Sequence, residues 1–174
     1  MRSLPDPGFA GDDGAAAPAL VAALAAHDAE PDSRELWHAA LSVLQGARVL
    51  VPVVTTPAGD DPSHVDGRAE SRPPTDDKLT DMAAVLMRGR SGRTALLAFT
   101  GLASMQVWDP TARPVPVALP DAARAALQNG AEALVVDVAG PVLFAVEGDD
   151  LRSLAEGDRL ARVGEAGWGW VRPG

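Results

Sequence analysis

Apolar residues recur along the chain at two spacings, and the alternation between them outlines its elements. From Pro18, PALVAALAAHDA is alanine-rich and opens on a proline, which suits a first helical turn because that position needs no N–H donor. DSRELWHAALSVLQG follows, with Leu36, Ala40, Val43 and Leu44 on one helical stripe, Asp32 or Ser33 as N-cap and Gly46 as the stop. ARVLVPVVT is then apolar at nearly every position, the pattern of a strand buried on both faces. Pro52 within it lacks a donor and points to an edge or a bulge. DMAAVLMRG and RTALLAFT flank an Arg-Ser-Gly turn and predict a hairpin.

Thr100 suits the cap of a short helix running from Gly101 to Trp108, where Asp109-Pro110 forces a turn. RPVPVAL returns to the sheet, and its prolines place it at an edge. PDAARAALQNG reads as a helix stopped by Asn129-Gly130, EALVVDV and PVLFAV as a second hairpin, and DDLRSLAEG as a short last helix. The expected fold class is α+β. A single domain carries one mixed or mostly antiparallel sheet of six strands, near 47–55, 80–88, 94–100, 114–119, 132–138 and 141–146, with helices packed on it.

Proline, glycine and acid set off three segments from this pattern. Residues 1–14 predict a flexible or loosely docked lead-in, and residues 56–77, with Val65 as the one β-branched aliphatic, a mobile loop. The domain proper spans 15–157, and 158–174 form a C-terminal tail. At 174 residues and 47% hydrophobic content the chain supports one core. Fifteen basic against 24 acidic residues give a net charge of −9, which repels phosphate backbones and argues against a nucleic-acid partner. Without cysteine there is no disulfide, thiolate nucleophile or Cys-type zinc site. No apolar run reaches bilayer length and the first residues lack a signal-peptide core, so a cytoplasmic protein without membrane contact is expected.

Six words in order, LPDPGFAGDDG, GARVLVPVV, KLTDMAAVL, LLAFTGLASMQVWDPTARPVPVAL, ALVVDVAGPVLFAV and LRSLAEG, resemble the SseB-like family, specifically members from high-GC Gram-positive bacteria. They cover most of residues 4–157. The resemblance implies an α+β domain with no established catalytic residues to carry over. Many relatives read Asp-Pro where this chain has Asp137-Val138.

The chemistry-bearing residues are sparse. His27, His38 and His64 show no metal-ligand spacing, so neither metal nor cofactor is expected. Ser104 lacks the Gly-x-Ser-x-Gly elbow of a nucleophile and reads as a helix-surface serine. Arg88, Arg90 and Arg93 in RGRSGR could hold a phosphate or an acidic partner, but the stretch lacks the ending of a phosphate loop and joins two strands, so a solvated hairpin turn is the better reading. Trp168 and Trp170, two apart, would share one face of an extended tail as interface anchors or as a cover for the sheet. Trp37 and Trp108 belong to the core or its margin. Two functions follow. The first is a non-catalytic protein-interaction or regulatory module using Trp168, Trp170 and the three arginines, its partner an unknown protein or, as a homodimer, a second copy. The alternative is a small hydrolase or ligand-processing enzyme using Asp81, Asp109 or Asp137.

Overall fold

A computed structural model describes residues 9–53, 69–70 and 84–174. Among these, helices α1 (Pro18–Ala29), α2 (Arg34–Leu44), α3 (Leu102–Trp108), α4 (Leu119–Gln128) and α5 (Gly148–Glu156) accompany nine strands. Both predicted hairpins form: β3 (Leu86–Arg88) pairs antiparallel with β4 (Thr94–Ala98), and β6 (Ala133–Val136) with β7 (Phe144–Glu147). Between them β4 and β6 run parallel, joined by the crossover through α3, β5 (Arg113–Ala118) and α4. The class is α+β. Of the expected loop, Ala69–Glu70 form β2, which pairs with β3; its remaining residues lie outside those described, as do residues 80–83 of the expected third segment.

The expected single sheet is divided. β1 (Arg48–Val53) pairs antiparallel with β5, while five further strands follow the order β2-β3-β4-β6-β7. Leu50 joins the two, exchanging both backbone bonds with Phe99 at 2.8 Å each way. In an antiparallel ladder a residue that spends its backbone on one side has none for the other. Pro116, which faces Leu50, and Pro114, which faces Pro52, therefore turn their backbones away from β1, where a missing N–H weakens no bond of the pair.

The central strands separate their side chains by alternation. Leu96, Ala98, Leu134 and Val136 enter the larger core beneath α1, α2, α4 and α5. Ala95, Leu97, Phe99 and Val135 enter a smaller core that includes Met105 of α3. LLAF is apolar throughout because both faces of its strand are covered. On α2, Ser33 caps the helix through Leu36 N–H at 3.3 Å, and the wholly buried positions are Ala40, Leu41 and Leu44. Leu36 and Val43 of the predicted stripe are half-buried, as are Trp37 and Trp108 at the margins of the two cores.

The C-terminal residues form a further hairpin. β8 (Arg159–Arg162) pairs with β9 (Trp168–Val171), and the side-chain amide of Gln45 clamps it to α2. That amide donates to the Leu160 carbonyl at 2.7 Å and accepts from the Leu160 N–H at 2.9 Å, as a neighbouring strand would.

Candidate functional site

Asp137 follows β6, at the carboxyl ends of the two parallel strands. Its N–H bonds the Ala98 carbonyl at 3.0 Å, and its backbone is left-handed at φ 53°, a region that Asp tolerates better than most side chains. The residue is 1% exposed. Three donors converge on its carboxylate: Thr100 N–H at 2.9 Å and Ser104 Oγ at 2.7 Å on Oδ1, and Thr100 Oγ1 at 2.7 Å on Oδ2. Two sequence expectations are corrected here. Thr100 does not cap α3, whose N-cap is Gly101 without a side-chain bond; a buried carboxylate is the stronger acceptor for its hydroxyl. Ser104 lies inside, not on the helix surface, because its hydroxyl reaches the same carboxylate.

The arrangement fastens two strand ends to the start of α3. A general base needs a lone pair that a substrate can reach, and this carboxylate is enclosed by donors of its own chain. Asp109 sits at the other end of α3, about 10 Å of helix away. There it accepts from Thr111 N–H at 2.8 Å and Thr111 Oγ1 at 2.7 Å, a turn-closing role. The structure does not join these two acids into a catalytic pair, and Asp81 lies outside the described residues.

Sequence reasoning passed over Arg48, the half-buried opening residue of β1. Its guanidinium donates to the Thr100 carbonyl at 2.5 Å, to the Ala15 carbonyl at 2.8 Å, and through Nε and Nη2 to both oxygens of Asp12. The hydrogen bonds from Arg48 hold the Asp12 carboxyl well below the usual carboxylate range, at about 2, and the Gly14 N–H on the same carboxylate at 2.9 Å adds to this. The signal was present: an arginine opening a buried apolar run needs a partner, and Asp12-Asp13-Gly14 in the lead-in supplies one.

The predicted interaction residues divide between two elements. Arg88, Arg90 and Arg93 lie on the β3–β4 turn. Arg88 donates to the Gly92 carbonyl at 3.3 Å. Arg93 bonds Glu132 at 3.0 Å and Glu147 at 2.8 Å, while Arg90 is exposed. Trp168 and Trp170 share one face of β9 and pack, half-buried, against the larger core. Their indole N–H groups donate to Glu35 and Asp150, each at 2.9 Å. Trp168 also stacks on His38 at 6.1 Å under the Arg162 guanidinium. Burial, aided by Arg34, lowers the His38 pKa, against an opposing pull from Asp150.

Among the described residues, no group of three or more His, Asp or Glu is placed to hold a metal, and no helix is long and apolar enough to cross a membrane. The chain is thus an α+β domain whose parallel strand pair ends in a buried polar network. The family model of the SseB protein N-terminal domain matches residues 20–153, and the chain belongs to that family. The C-terminal hairpin lies beyond the matched span. No curated protein and no solved structure matches the chain.

Proposed function

We propose that this SseB-family chain is a non-catalytic protein-interaction module whose contact surface combines the arginine turn with the Trp-bearing hairpin. The supporting observation is their convergence on the β7–α5 junction. Arg93 bonds Glu147, the last residue of β7, and Trp170 bonds Asp150, three residues on in the first turn of α5. Arg93 and Trp170 are thus anchored three residues apart on that junction, Arg90 is exposed on the turn that Arg93 ends, and Trp168 lies over Glu35 and His38 of α2. Aromatic rings beside guanidiniums suit an acidic partner surface. The enclosure of Asp137 and the local engagement of Asp109 favour the interaction reading over hydrolysis at these two acids.

The test is affinity capture from the native cell with the full chain, comparing wild type with Arg90→Glu by quantitative mass spectrometry. The substitution touches no described packing, so melting temperature should hold while the enrichment of the partner falls at least about tenfold. Unchanged enrichment would exclude this surface.

A further inference from the structure

Residues 9–17 lie as a strap across the start of β1 and the turn from β4 into α3. Their sequence, FAGDDGAAA, packs little side chain against the body and is held by polar contacts. Asp12 meets Arg48 with both oxygens, the Ala15 carbonyl takes a third Arg48 bond, and the Gly14 carbonyl accepts from Leu102 N–H at 2.7 Å. Asp12 and Asp13 each close a turn, onto Gly14 N–H and Ala15 N–H at 2.9 Å. Beneath the strap the surface is shaped for bare backbone: a Cβ on Gly101 would stand 2.9 Å from the Ala16 nitrogen and 3.0 Å from the Gly14 oxygen.

Each of these is a feature of peptide recognition. A guanidinium fork at 11% side-chain exposure takes a carboxylate, a free N–H takes a carbonyl, and a glycine admits the chain closely. Arg48 is itself fixed by the Thr100 carbonyl, and Thr100 by Asp137, so the fork is oriented from the buried network outward. The crevice outside the carboxyl ends of parallel strands is also where open sheets accept ligands.

We propose that Arg48, Leu102 N–H and Gly101 form a recognition site for an acidic Asp-Gly peptide segment of a partner protein, occupied in this structure by the chain's own strap. The site is separate from the turn-and-hairpin surface and does not depend on it. A tethered strap competes at an effective concentration in the millimolar range, so a partner must bind more tightly than the strap or meet it already loosened. The strap is built to yield: it is held by polar bonds, and its glycines and alanines leave little apolar surface to hold it.

The experiment uses the full chain with the strap unseated by Asp12→Ala and Gly14→Val. Gly14 has φ 78°, and a side chain there would press on Leu102. Both positions belong to the strap, so the site itself is untouched. The probe is the amidated, acetylated peptide FAGDDGAAA, followed by calorimetry. The unstrapped chain should bind it at least about tenfold more tightly than wild type, and the same peptide with Asn at the Asp12 position should bind at least about tenfold more weakly. No binding to a folded unstrapped chain, or equal binding of the Asp and Asn peptides, overturns the proposal. A dimer of the unstrapped chain that the peptide dissolves would assign the site to a second copy and overturn the partner reading. Should the variant fail to fold, hydrogen exchange on wild type decides. The Leu102 amide, bonded to the strap, should exchange at least about tenfold faster than the Leu50 amide bonded to Phe99, and equal rates overturn a strap that opens.

Discussion

Replacing Asp137 measures what the buried network holds together, and three substitutions separate its parts. Asp137→Ala removes the acceptor from Thr100 N–H, Thr100 Oγ1 and Ser104 Oγ at once. The Ser104 hydroxyl keeps the Gly101 carbonyl, 3.0 Å away, so its loss is partial. Thr100 keeps nothing equivalent, and two orphaned donors beside a lost charged acceptor cost about 3–5 kcal/mol. Alanine must also hold φ 53°, which adds about 1 kcal/mol. Asp137→Gly loses the same bonds but not that strain, and should be the more stable of the two by about 0.5–1 kcal/mol. Asp137→Asn keeps one oxygen for Thr100 N–H and tolerates the left-handed backbone, so its loss is about 1–2 kcal/mol. The order expected is wild type, Asn, Gly, Ala. Urea unfolding followed by tryptophan fluorescence reads it directly, since about 4 kcal/mol at a slope of about 2 kcal/mol/M moves the midpoint by about 2 M. Alanine within about 1 kcal/mol of wild type, or more stable than glycine, would refute a structural role for the carboxylate.

Three further outcomes are expected. Because Arg48 holds the folded-state Asp12 carboxyl at about 2 against an ordinary 3.8, its stabilisation is complete above about pH 4 and fades as pH falls towards 2. Asp12→Asn should therefore lose about 1–2 kcal/mol at pH 7 and no more than about 0.5 kcal/mol relative to wild type at pH 2, measured by urea titration across that range. Gln45→Ala removes both bonds to Leu160 and should cost about 1–2 kcal/mol, with faster amide exchange concentrated in β8 and β9. Gly101→Ala drives a methyl into the Ala16 backbone and should lower stability by about 1–3 kcal/mol in thermal melts, with the loosening confined to residues 9–17.

What the sequence disclosed was local. Both hairpins, the helix from Pro18 and the stop at Gly46 rest on periodicity and turn residues a few positions apart, and each is present. The partner of β1 was not legible, because β5 lies far along the chain and the pairing depends on Phe99 holding the other edge of Leu50 to the main sheet. Thr100 fits a helix cap on every local rule; only the arrival of Asp137 from the neighbouring strand end redirects its hydroxyl. Trp168 and Trp170 were correctly placed on one face, but what that face meets depends on Glu35 and Asp150, far away in the chain. Arg48 was overlooked for the same reason, since its meaning lies with Asp12 and Ala15 on the strap.

The prolines of β5 carry a consequence for behaviour at high concentration. A β-strand that borders a sheet is a template on which another molecule can add a strand, and fibrils grow by repeating that addition. Along β5 the outward backbone positions at 114 and 116 offer carbonyls but no N–H, so an incoming strand finds half its bonds missing at two successive steps. Because those positions face away from β1, this protection leaves the pairing within the molecule intact. Pro114→Thr with Pro116→Thr should thus retain the fold and its melting temperature within a few degrees while shortening the lag of thioflavin-reported fibril growth, and an unchanged lag would show that another edge sets the risk.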